Sequence, residues 1–179
     1  MDNLCRALKI PVPFLKAEFN RKKYSLARHR QFDRDDISQE YLEWIRSLGL
    51  TLVHAEIFFS LPNKHYEIHK DQHNLNDFPK INWIFGDSVS YMNWYKPKLE
   101  YQASVSNTRI GTPYVGYQPT DVDKIYSCEL TSPSLVQAGV PHNVTVLNAY
   151  RWCVSTVYHC DSKLITFDKA VETLSPFMA

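Results

Sequence analysis

The chain has 179 residues, 44% of them hydrophobic and 22% charged, with a formal net charge of +1 at pH 7. This describes one ordinary globular domain that can bury a core without disulfide staples. Near-neutral charge with no basic patch argues against nucleic-acid or anionic-membrane partners, and no apolar run approaches the roughly 18 residues of a membrane span.

The opening stretch, MDNLCRALKIPVPF, lacks the apolar core of a signal peptide. Cys5, Cys128, Cys153 and Cys160 form no CxxC pair and suit a reducing compartment, so a cytoplasmic location is expected. Aromatics reach 13% and glycines number only five, which favours pleated surfaces and a β-rich fold.

In chain order, the first thirty residues are rich in Arg and Lys, and Pro11 and Pro13 break any early helix. DDISQEYLEWIRSL, Asp35 to Leu48, predicts a helix. Ile37, Tyr41, Trp44, Ile45 and Leu48 recur at spacings of three and four, acidic residues open it and Gly49 follows it. Eight short β-type runs come next: Leu52–Ser60, His65–His69, Ile81–Phe85, Tyr91–Tyr95, Ile125–Leu130, Leu135–Ala138, Asn143–Leu147 and Trp152–Tyr158. Pro and Gly punctuate them, the pattern of a sandwich or barrel. The gap from Lys96 to Lys124 is long enough to be a functional lid. One domain is expected, with helical support over 1–50, a β core over 51–160 and a tail over 161–179 that packs outside as a strand or helix.

The stretch KHYEIHKDQHN, Lys64 to Asn74, crowds three of the seven histidines beside two carboxylates. In a strand, positions i and i+2 share a face, so His-x-acid offers two neighbouring ligands. A distant second histidine completes a set of two His and one carboxylate that suits non-haem Fe(II). Three pairs compete: His54/Glu56, His65/Glu67 and His69/Asp71. The first lies inside an apolar run and reads as a strand rung. The second lies earlier in its strand. His69 and Asp71 stand where a strand gives way to the polar QHNLND, the mouth an open metal site needs. Neighbouring His73 could touch substrate.

PHNVTVLNAYRWCVSTVY, Pro141 to Tyr158, supplies His142 at the start of one strand run and Arg151 at the start of the next. A guanidinium among apolar residues requires an anion, and a dicarboxylate would bind it bidentately. Ser155 shares its strand face and could donate to the same anion.

These residues carry a resemblance. HYEIHKD resembles the first metal-binding motif of prolyl-hydroxylase-type 2-oxoglutarate/Fe(II) dioxygenases, a Tyr-x-x-His-x-Asp at a strand end. PHNVTVLNAYRWCVSTVY resembles their second motif, in which the 2-oxoglutarate arginine follows the distal histidine by nine positions. The resemblance covers Leu52 to Tyr158 and implies a double-stranded β-helix, or jelly-roll, core. It implies Fe(II) held by His69, Asp71 and His142, with 2-oxoglutarate held by Arg151 and Ser155 and Tyr66 lining its pocket. O2 would be the oxidant and an amino-acid or peptide-like molecule the substrate. The chain departs from the pattern in carrying one glycine in GDSVSYMNWY, and Asn82 or Trp83 where a third-strand tyrosine often holds 2-oxoglutarate. Alternatives are a cupin-like metal oxygenase that does not use 2-oxoglutarate, a non-catalytic jelly-roll binding protein and, less favoured, a zinc hydrolase.

Overall fold

A computed structural model describes residues 4–24, 29–72, 74–86, 89–98, 104–108, 110–130 and 133–179. The elements in chain order are β1 (Cys5–Ala7), β2 (His29–Gln31), α1 (Gln39–Ser47), β3 (Leu50–Ser60), β4 (Lys64–His65), β5 (Ile68–Asp71), β6 (Pro79–Phe85) and β7 (Ser90–Pro97). They continue as β8 (Ser104–Asn107), β9 (Pro113–Tyr117), β10 (Val122–Glu129), β11 (Ser134–Gln137), β12 (His142–Val146), β13 (Arg151–Cys160), β14 (Lys163–Leu164) and α2 (Phe167–Leu174).

Among the described residues, two seven-stranded antiparallel sheets form. One runs β1-β11-β6-β13-β3-β2, with β14 beside β13. The other runs β10-β7-β12-β5-β9-β8, with β4 beside β12. The eight runs read from the sequence correspond to β3, β5, β6, β7, β10, β11, β12 and β13. They alternate between the sheets except at β7 and β10, which pair with each other in the second sheet, and these crossovers give the connectivity of a jelly roll. The fold is mainly β, as expected.

α1 differs from its expected limits because Ser38, not Asp35, caps it: the Ser38 hydroxyl accepts from the Tyr41 N–H at 3.0 Å. Asp35 and Asp36 lie in a 3-10 turn ahead of it. The buried stripe Ile37, Tyr41 and Ile45 has the expected spacing, and Gly49 takes φ +75 after the last turn. Among its described residues, the amino-terminal support holds one α-helix, α1, with β1, β2, turns and two short 3-10 helices. The tail forms α2.

The largest apolar core lies outside the sandwich. It joins Phe14, Phe32, Tyr41 and Ile45 to Trp83, Val154 and Tyr158 on the outer face of the first sheet, and α2 adds Ala170 and Leu174. A smaller cluster, with Met92 and Trp94 opposite Cys5 and Val136, fills one part of the space between the sheets. Alternation along β13 explains the division: Val154 and Tyr158 turn outward, whereas Arg151, Cys153, Ser155 and Val157 turn inward. The rest of the interior is left to polar side chains. All four cysteines are free thiols. No helix among the described residues is long and apolar enough to cross a membrane.

Candidate metal centre

The expected run His65–His69 is broken. Lys64 and His65 pair with Val146 and Thr145, whereas His69 pairs with His142. Four residues on one side therefore face three on the other, and the chain bulges across Tyr66 and Glu67. The bulge separates the histidines. His65 bonds to the Thr145 hydroxyl at 3.1 Å and is exposed, while His69 joins His142. Tyr66 is half-buried; its N–H donates to the Val144 carbonyl and its carbonyl accepts from the Asn143 amide.

His69, Asp71 and His142 come together, with one ligand atom from each lying within 4.8 Å of the others. Each imidazole is held in the same way. His69 Nδ1 lies 3.0 Å from the Glu67 carbonyl, and His142 Nδ1 lies 2.8 Å from the Val140 carbonyl. A carbonyl only accepts, so both Nδ1 atoms carry the proton and both Nε2 atoms keep a lone pair for a cation. Burial, with His69 nearby, lowers the His142 pKa to about 4, which keeps the ring neutral. Burial works against ionisation of Asp71, but Lys80 and the two histidines outweigh it and hold its pKa at about 2.

The turn Gly139-Val140-Pro141 delivers His142 by packing tightly on the preceding loop. A Cβ at Gly139 would stand 2.7 Å from the Asn76 backbone, so only glycine fits. The Asp71 N–H donates to the Ala138 carbonyl at 3.1 Å and fixes the end of β5 to this turn. His69 is 30% exposed and His142 4%, so the centre is buried on one side and open on the other.

Sequence reasoning missed Lys80. Its ammonium bonds Asp71 Oδ2 at 2.8 Å from the facing sheet, while Oδ1 lies 3.6 Å from His69 Nε2. Its position beside Ile81 in an apolar run carried a signal, since a lone cation there needs an anion. Glu56 is a second buried carboxylate. It accepts from His54 at 2.7 Å, His29 at 3.2 Å and the Thr112 hydroxyl at 2.9 Å. Burial raises its pKa, but these bonds and Lys80 hold it well below the usual carboxylate range.

Arg151 lies between the sheets, 3% exposed, and its Nε and Nη2 have no hydrogen-bond partner among the described residues. Ser155, on the same face, donates to Asn82 Oδ1 at 2.7 Å, and both are buried. Trp83 turns the other way, stacking on Phe14 in the outer core. The Lys96–Lys124 segment is not a bare loop. β8 and β9 form a hairpin in it, and β9 extends the sheet beside the ligands, with Gly116 opposite His69 and Tyr114 opposite Asp71. His73 lies outside the described residues.

No protein-family profile and no curated protein matches the chain. Solved structures similar to it include RmlC from Streptococcus suis in complex with dTDP-D-xylose, at 10% identity and TM-score 0.32. Another is NovW, a 4-keto-6-deoxy sugar epimerase from the novobiocin biosynthetic gene cluster of Streptomyces spheroides, at 14% identity and TM-score 0.34. Each match covers 72% of this chain and about three-fifths of the other, 61% and 59% respectively. At these values the likeness carries no argument about chemistry.

Proposed function

We propose that the protein is an Fe(II)- and 2-oxoglutarate-dependent oxygenase acting on a C–H bond of an amino-acid or peptide-like substrate. The observation that carries this reading is the pairing of two unsatisfied features in one interior. Two imidazoles with free Nε2 lone pairs and a carboxylate converge at the mouth. A buried guanidinium, two of whose nitrogens have no partner among the described residues, lies on the inward face of β13. The donor set fits Fe(II), and the guanidinium fits the distal carboxylate of a dicarboxylic acid.

When bound, Fe(II), O2 and 2-oxoglutarate supply the oxidising chemistry, with release of succinate and CO2. The chain's part is orientation and charge. His69 and His142 present lone pairs that their Nδ1 bonds prevent from turning away. Lys80 occupies Asp71 Oδ2, which leaves Oδ1 to face the histidines. Arg151 takes the distal carboxylate of 2-oxoglutarate in a two-pronged bond and relieves its own burial. Asn82 and Ser155, paired with each other, line the interior between Arg151 and Lys80 along β13 and β6.

The test is conversion of 2-oxoglutarate to succinate by iron-loaded protein in air, without added substrate. The expected result is slow succinate formation that stops in His69→Ala. Iron-loaded wild type that forms no succinate overturns the reading.

A further inference from the structure

A cavity of about 310 Å3 lies between the start of β3 and the 110–112 turn, and the metal ligands do not line it. At the roughly 30 Å3 that one water occupies, it has room for about ten non-hydrogen atoms. Phe78 and Val157, part of a small apolar cluster with Ala138, form its floor. Its rim holds Val53, Ile110 and Leu164, which are 44%, 37% and 39% exposed. Three large apolar side chains left in water around one opening mark a place where something apolar is received.

The wall is not only apolar. His54 lines the cavity, and its Nε2 lies 2.7 Å from Glu56 Oε1. Glu56 is buried, held ionised and also bonded by His29 and Thr112. It accepts from all three. In the neutral imidazole this fixes the proton on Nε2, and Nδ1 is the ring nitrogen left to meet a ligand, as a lone-pair acceptor. Gly111, at φ +86, shapes the turn that brings Thr112 to the same carboxylate.

We propose that this cavity binds a small uncharged molecule with a ring-sized apolar body and one O–H or N–H donor, which bonds to His54 Nδ1. The proposal does not depend on iron, so it is tested with chelator present.

The probes are p-cresol, which has the donor, and toluene, which lacks it, titrated into the full chain at pH 8 and followed by ligand-observed NMR. Wild type should bind both, with p-cresol about fivefold tighter, the worth of roughly one net hydrogen bond. His54→Phe should keep toluene and lose the preference, a selective change that general destabilisation would not produce. Ile110→Trp, a change at an exposed rim position, should weaken both probes at least tenfold. Failure of wild type to bind either probe, a preference that survives in His54→Phe, or unchanged binding in Ile110→Trp would each overturn the proposal.

Discussion

The two ends of the sandwich interior handle charge in opposite ways. At the mouth every buried ion has a partner: Asp71 has Lys80, and Glu56 has His29, His54 and Thr112. At the other end Arg151 has none for Nε or Nη2 among the described residues. A buried ion that is paired accounts for itself within the fold, whereas one left unpaired costs several kcal/mol unless something outside the chain completes it. On the proposed reading, the mouth would receive a cation and Arg151 an anion, and the difference separates what the chain pairs by itself from what it would take from outside.

The largest effect should come from breaking the mouth. Purified protein should bind one Fe(II), and His69→Ala or His142→Ala should abolish it by metal analysis. Full iron stoichiometry in both variants contradicts the ligand set. Asp71→Asn tests the pairing itself. In chelator, urea unfolding should show a loss of about 3 kcal/mol, because Lys80 is left buried and unpaired. Adding Lys80→Met should restore most of that loss, and simple additivity of the two changes would show that the pair is not coupled.

Breaking the other end should do the opposite. Without metal or anion, Arg151→Met removes two unsatisfied buried nitrogens and should stabilise the fold by about 1 kcal/mol, read as a higher urea midpoint. A lower midpoint would mean that the guanidinium is satisfied within the chain. The smallest effect belongs to His65→Ala. Its bond to Thr145 lies on the exposed side of the bulge, so iron content and stability should both stay near wild type. Loss of iron in that variant would put the wrong histidine at the centre.

The sequence was most legible where a pattern repeats. Seven of the eight β-type runs fall on single strands and the eighth, His65–His69, spans β4 and β5, since β-favouring residues fill each run and Pro or Gly breaks fall between them. His69, Asp71, His142 and Arg151 could be singled out because each sits at a strand end or breaks an apolar run. The short strands β1, β2, β8, β9 and β14 were not legible, having only two to five residues each and drawing their pairing from neighbours distant in sequence. The split of His65–His69 depends on a one-residue mismatch with β12, which a single strand cannot reveal. Lys80 was visible as a lone cation in an apolar run, but its partner Asp71, like those of Glu56, comes from contacts between sheets and across the 112 turn, which no local spacing encodes.

The central claim is that one interior holds a metal at its mouth and a dicarboxylate at Arg151. The most direct measurement is a calorimetric titration of 2-oxoglutarate into anaerobic Fe(II)-loaded protein, wild type against Arg151→Ala. The account predicts one-to-one binding by wild type, with a Kd raised roughly tenfold to a hundredfold in Arg151→Ala and iron content unchanged. No binding by iron-loaded wild type, or equal affinity in the two proteins, would contradict it.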